Sequence, residues 1–257
     1  MSIIYGPVPS WRLGRSLGID MVSTHAKTCS FDCVYCQLGA TVSRQSERKE
    51  FVSLNSLRQE LNHLPQIKAD FVTFSGVGEP TLAKNLGAAI EIARRTLHIP
   101  IAVLTNSSLM HEPGVCKDLA RADVVVAKLD APDDNLLHLV NRPVFRLTVD
   151  QITEGIRSFR SIFAGKLAIQ IMFINTNRQK APELAELVRG FSADEVQVNT
   201  PLRPCPVKPL NPNDLDKIKR HFLEFKNVFT VYEASKPAVT PMDPQQTERR
   251  RPEAQQI

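Results

Sequence analysis

The chain has 257 residues, 42% of them hydrophobic and 23% charged, and carries a formal net charge of +5. That length buries a substantial core without disulfide or metal staples, and no apolar run reaches the roughly 18 residues that a bilayer-spanning helix needs. Five cysteines, three of them between positions 29 and 36, do not make a secreted disulfide framework. With an N-terminus that lacks a signal-peptide pattern, this predicts a cytoplasmic protein with no membrane partner. The excess positive charge is scattered. Its one dense run, Arg249 to Arg251, is offset by Asp243, Glu248 and Glu253, which predicts a solvated surface rather than a nucleic-acid footprint.

Along the chain, short apolar runs rich in β-formers alternate with amphipathic stretches. The pattern predicts a strand over 17–22, a helix over 53–64, a strand over 70–74 and a helix over 85–97. A strand at 101–104, a helix at 113–122 and a strand at 124–128 follow. Next come a helix at 148–163, a strand at 168–173, a helix at 182–191, a strand at 195–198 and a helix at 213–225, with a further edge strand at 228–232. Pro113 and Pro182 suit the first turn of a helix, and Asn211 or Asn213 suits the cap of the last one. From Ser235 to Ile257 the composition turns to Pro, Gln and charge, predicting one core domain over 1–234 and a disordered tail over 235–257.

Six β–α units build either an open doubly wound α/β sheet or an incomplete version of the eight-unit barrel, with chemistry at the C-terminal ends of the strands in both cases. A partial (β/α)6 TIM-like barrel is preferred because polar or Gly-rich segments follow nearly every predicted strand. They include the cysteine loop, Ser75-Gly-Val-Gly-Glu-Pro80, Thr105-Asn-Ser-Ser108, Leu129-Asp-Ala131, Asn175-Thr-Asn177 and Asn199-Thr200.

Cys29, Cys33 and Cys36 stand at a C-x3-C-x2-C spacing. Three clustered thiolates hold three irons of a [4Fe–4S] cubane and leave the fourth iron open for chemistry. The competing possibility is zinc, because His25 would complete a Cys3His set. Zinc leaves the Gly-Val-Gly-Glu-Pro run after the next strand unexplained. Taken singly, Gly76 and Gly78 are ordinary turn glycines, Tyr35 is ordinary core, and Asn106 and Asp130 are equally readable as turn-stabilising side chains. Cys116 reads as a small buried hydrophobe. Cys205, in Pro201-Leu-Arg-Pro-Cys-Pro206, falls on the side where substrate should sit. It is either a thiol stiffened by flanking prolines or a substrate-facing hydrogen donor.

The order of C-x3-C-x2-C after the first strand and Gly-x-Gly-Glu-Pro after the second resembles the radical S-adenosylmethionine (SAM) superfamily, over roughly residues 5–233. The resemblance implies one [4Fe–4S] cluster held by Cys29, Cys33 and Cys36, with SAM on the open iron and an external electron donor such as flavodoxin or ferredoxin. It implies reductive SAM cleavage and hydrogen abstraction from substrate by a 5′-deoxyadenosyl radical. It also places Tyr35 beside adenine, Gly76, Gly78 and Glu79 at the methionyl end of SAM, and Asn106, Asp130 and Lys128 near the SAM carboxylate or ribose. The segment from Tyr5 to Asp20, with Cys36-Gln-Leu-Gly39, further resembles small single-cluster proteins related to the wybutosine-synthesising tRNA enzymes, although the second-cluster cysteines of those enzymes are missing. Arg12 and Arg15 of that segment could face an anionic substrate or the SAM carboxylate, or simply pack an N-terminal hairpin. The substrate stays open between an RNA base, a protein and a small molecule, and the non-enzymatic alternative is an iron–sulfur carrier or a zinc-stabilised binding protein.

Overall fold

The computed structural model describes residues 2–252. The chain opens with β1 (Ile4–Ser10) and β2 (Gly14–Ile19), then forms a two-residue ladder around the cysteine loop from β3 (Thr28–Cys29) and β4 (Ser43–Arg44). Helix and strand then alternate: α1 (Leu54–Asn62), β5 (Phe71–Phe74), α2 (Leu86–Leu97), β6 (Ile101–Thr105), α3 (Pro113–Leu119) and β7 (Val124–Lys128). Two successive helices, α4 (Asp134–Val140) and α5 (Val149–Ile162), lead to β8 (Lys166–Met172), α6 (Ala181–Arg189), β9 (Glu195–Asn199), α7 (Pro212–Lys219), β10 (Val228–Thr230) and α8 (Pro244–Arg250). The main sheet has the order β1-β2-β5-β6-β7-β8-β9-β10, antiparallel at β1–β2 and parallel from β2 onward. This is the α/β partial barrel expected, open between β1 and β10, with β10 as the predicted edge strand.

Successive side chains of each strand point to opposite faces of the sheet, and both faces are covered. Val125 and Ala127, Leu167, Ile169 and Ile171, and Val196 and Val198 point outward into the main core with the helices. The opposite phase points inward. At the lower, N-terminal end of the parallel strands, Leu13 from the hairpin turn packs against Ala102, Val124, Val126 and Ala168 as an apolar plug. Higher up, the same inward rows turn polar, as Lys128, Gln170 and Asn199. The sheet curls enough that Trp11 and Arg12 of the hairpin turn line one cavity with these residues of β7, β8 and β9.

Local chemistry explains most of the helix starts. Ser53, Asp133, Asn211 and Asp243 each accept a backbone N–H in the first turn, and Thr148 with Gln151 makes a full capping box. Asn211, not Asn213, caps α7, with Pro212 behind it.

Two expectations need correction. The short α4 was not anticipated; its seven residues fall in what read as a loop after β7. The disordered tail is corrected over residues 244–250, where α8 packs along β1. The physical reason is Arg250, whose fully buried guanidinium pairs with Asp20 (2.9 Å), donates to the Ser2 carbonyl and Ser23 hydroxyl, and lies over the Tyr5 ring. A basic residue read as solvated surface is the anchor of the segment. The last five positions of the expected tail lie outside the described residues. No described helix is long and apolar enough to cross a membrane.

Candidate active site

The cysteine loop is held on two sides by backbone hydrogen bonds. On one side it zips directly to the turn after β5: Thr28 N–H donates to the Val77 carbonyl (3.3 Å) and Glu79 N–H to the Thr28 carbonyl (3.2 Å). A Cβ on Gly78 would lie 1.7 Å from that Thr28 carbonyl oxygen, and one on Gly76 would lie 2.0 Å from the Asp20 carboxyl carbon. Both glycines are therefore demanded by close packing within the protein. On the other side, Asp32 N–H donates to the Asn141 carbonyl (3.0 Å), Val34 N–H to Val140 (3.0 Å) and Val144 N–H to Ser30 (3.0 Å). The loop closes on itself through Cys36 N–H to the Cys33 carbonyl (3.1 Å) and Lys27 Nζ to the Gly39 carbonyl (2.8 Å).

Each side carries a buried carboxylate. Glu79 Oε1 accepts from the Thr81 amide (3.1 Å) and from the hydroxyls of Thr81 and Thr105 (both 2.7 Å), and Oε2 accepts from the Asn106 amide (2.7 Å). Burial raises its pKa against the pull of those donors. Across the loop, Asp130 Oδ1 accepts from the Met172 amide (2.7 Å), while Oδ2 accepts from the Tyr35 hydroxyl and from Asn141 Nδ2 (2.7 Å). Lys128 Nζ donates to the Tyr35 hydroxyl (2.7 Å), lies 4.5 Å from that ring's centroid and is 3.6 Å from Asp130 Oδ2. The structure brings Tyr35 and Asp130 together. Both carboxylates, however, spend their oxygens inside the protein.

From each network one amide reaches a cysteine sulfur. Asn106 Nδ2 stands 3.6 Å from Cys29 Sγ and donates to Ser30 Oγ (2.9 Å); Asn141 Nδ2 stands 3.5 Å from Cys33 Sγ. Asn141 escaped the sequence reading because it is the C-cap of the unanticipated α4. Its only sequence signal is an asparagine closing the leucine-rich stretch 134–140.

The donor set fits an iron–sulfur cluster in its chemistry: three soft thiols on one loop, two of them met by N–H donors. A cubane gives each thiolate its own iron, so its ligands do not converge on one point. Among the described residues no three His, Cys, Asp or Glu side chains gather around a single ion, and His25 is exposed. Burial, with Glu79 nearby, pushes the Cys29 thiol up to about 12, and burial raises Cys33 against the attraction of Lys128. Such thiols are neutral and unreactive at pH 7, and coordination to a metal ion would deprotonate them.

The remaining expectations separate by position. Arg15 lies at the lower end of the sheet, paired with Asp70 through its backbone amide (2.7 Å) and its guanidinium. Arg12 lines the inner cavity with Tyr35, Cys36 and Lys128. Cys205 donates to the Val207 carbonyl (3.2 Å) and is half-buried, lining neither this cavity nor the one beside Cys33 and Cys36. Cys116 is buried, donates to the Met110 carbonyl (3.0 Å), and its pKa is raised to about 11 by burial.

Comparison with known proteins follows the same outline. The sequence matches the radical SAM superfamily over residues 23–188. It is 36% identical to the UPF0026 protein MJ1312 of Methanocaldococcus jannaschii over 235 residues, covering 89% of this chain and 72% of that one. It is 39% identical to the UPF0026 protein slr1464 of Synechocystis sp. over 209 residues, covering 80% and 77%. In fold it resembles Streptococcus suis SuiB bound to S-adenosylmethionine, with a TM-score of 0.62 and 16% identity over 85% of this chain. The chain spans half the length of SuiB.

Proposed function

The chain belongs to the radical SAM superfamily and to the UPF0026 proteins, and from that premise we propose that Cys29, Cys33 and Cys36 hold one [4Fe–4S] cluster beside a SAM site. The surroundings of SAM are the turn with Gly76, Gly78 and Glu79, together with Tyr35, Asn106, Lys128 and Asp130. Held by these residues, the cluster and SAM would supply reductive cleavage of SAM and radical abstraction of hydrogen from substrate.

The protein's own residues prepare that chemistry. Asn106 and Asn141 place N–H donors against the sulfurs of Cys29 and Cys33, the kind of contact that tunes a cluster's potential. Asp130 fixes the Tyr35 hydroxyl, and Lys128 lies over the Tyr35 ring, so the aromatic face next to Cys36 is held in one orientation. Glu79 binds the turn after β5 to the end of β6, keeping its backbone against the cysteine loop. Trp11 and Met172 line the inner cavity and limit its water. The electron comes from an external donor of the flavodoxin or ferredoxin kind.

The observation that carries this reading is the pair of amides on two of the three sulfurs, each rooted in a separate buried carboxylate network, beside a cavity that opens into the barrel. The test is anaerobic reconstitution with iron and sulfide. A cluster whose electron paramagnetic resonance signal shifts on adding SAM, with deoxyadenosine formed under a reductant, is expected. A colourless zinc protein overturns the reading. So does a cluster indifferent to SAM, the behaviour of a carrier. Kinship with the wybutosine-related proteins would make RNA the substrate. RNA affinity would then fall steeply with salt, and a flat binding curve would remove that option.

A further inference from the structure

The cavity inside the barrel, about 290 Å³, carries cationic side chains from four separate parts of the chain: Arg12 on the hairpin turn, Lys128 on β7, Arg203 after β9, and Lys236 and Arg251 from the C-terminal segment. No Asp or Glu lines it. Lys128 is already engaged with Tyr35 and Asp130, and Arg203 donates to Gln37 (2.8 Å).

Two polar groups here have no internal partner. Arg12 Nε is buried without a hydrogen bond, and so is Nε2 of Gln170, a side chain 94% removed from solvent that lines the same cavity from β8. Buried donors are ordinarily satisfied, and two unmatched donors among clustered cations mark a place for an acceptor. Burial, followed by the fields of Arg251 and Arg203, lowers the Arg12 pKa to about 9. The guanidinium groups thus lie close enough to oppose one another. Glu195 offsets this in part, but its carboxylate is bonded to Lys166 (2.5 Å) and Gln197 (2.7 Å). Arg251 is brought to the cavity by the same buried Arg250 anchor that docks α8, so the order of the C-terminal segment also has a use.

We propose that this cavity binds the anionic group, a carboxylate or a phosphate, of a small organic substrate, with Arg12, Arg203 and Arg251 as its cationic wall and the Gln170 amide as its neutral donor. The inference rests on the proposed function in that the cavity is taken as the substrate's. Its volume suits a small molecule, and its arginines face inward rather than forming the exposed basic stripe that tracks a nucleic-acid backbone. Planar guanidinium forks match both carboxylate and phosphate oxygens, which is why the shared chemistry is an oxyanion.

The test is calorimetric titration of the full-length reconstituted protein with pyrophosphate and, separately, with citrate, each with and without saturating SAM and with no reductant present. Saturable one-to-one binding of a probe that persists with SAM bound is expected. Preference for pyrophosphate identifies a phosphate-bearing substrate, and preference for citrate a carboxylate. R12Q should weaken the preferred probe roughly tenfold to a hundredfold, the range of one charge-assisted hydrogen bond. Q170L, which keeps the barrel filled, should weaken it several-fold and serves if R12Q does not fold. The exposed control K68Q should leave binding unchanged. Binding of neither probe, equal loss in K68Q, displacement of the probe by SAM, or binding of a homopolymer RNA alone would each overturn the proposal. Failure of SAM to perturb the cluster would instead strike the proposed function and is read in a separate experiment.

Discussion

The two flanks of the cysteine loop are built alike and serve different ends. Toward β5 and β6, the buried Glu79 gathers backbone and hydroxyl donors and lets Asn106 reach Cys29. Toward β7 and α4, the buried Asp130 gathers side chains, among them Tyr35 and Asn141, and Asn141 reaches Cys33. The first network fixes the path of the chain. The second orients groups that face a cavity, and Lys128 and Tyr35 both line it. A carboxylate can thus be buried for architecture or for positioning, and the identity of its donors tells which.

The largest effect tests what the flanks share. Cys33→Ser should abolish both cluster assembly and SAM cleavage, because a hydroxyl is a poor ligand for a cubane iron. A fully active variant with an intact cluster signal would remove Cys33 from the ligand set, and the Asp130 flank would lose its target.

The next change would break the comparison itself. Glu79→Ala strands the Thr81 and Asn106 amides and two threonine hydroxyls, which should cost about 3 kcal/mol or more of stability, visible as a large fall in thermal midpoint. An unchanged midpoint with lost SAM affinity would make Glu79 a direct ligand contact. Asn141→Ala should behave oppositely. Its Oδ1 is already buried without a partner, and Asp130 keeps the Tyr35 hydroxyl, so stability should fall by only about 1 kcal/mol. SAM-cleavage rate should fall about 10- to 100-fold, as for other groups that orient metal ligands. A lowered cluster midpoint potential would confirm that the amide acts on the sulfur.

The regular part of this molecule was open to sequence reasoning because both faces of the sheet are covered. Runs such as 101–104 and 124–128 are apolar in both phases, and proline and capping residues mark the helix starts. The thiols were legible by spacing. The two asparagines were not equally so: Asn106 follows a clear strand, whereas Asn141 depends on a seven-residue helix too short to show a period. The C-terminal segment misled for a physical reason. Composition cannot tell a solvated arginine from one that finds Asp20 and the Tyr5 ring after the chain has folded back to its beginning. Gly76 and Gly78, which the resemblance puts at the methionyl end of SAM, admit Asp20 and Thr28 as their neighbours in the fold.

The smallest effect sharpens the contrast at its lower end, where two arginines of one hairpin diverge. Arg12 turns into the cavity with an unmatched Nε, while Arg15 is committed to Asp70. Hydrogen bonds from the Arg15 side chain and backbone hold the Asp70 carboxyl down at about 2. A carboxylate whose folded pKa is depressed adds stability above its ordinary value of roughly 4, and loses it as pH falls through the folded value. The pair is half-buried at the surface, where solvent screening keeps its contribution small, so the clean readout is the titration of Asp70 itself by carbon-detected NMR. In the native chain its midpoint should lie near 2. Arg15→Gln should return it toward roughly 4 while leaving the pyrophosphate and citrate titrations untouched. Loss of probe binding in that variant would mean that Arg15 supports the cavity after all, and the division of labour between the two arginines would fail.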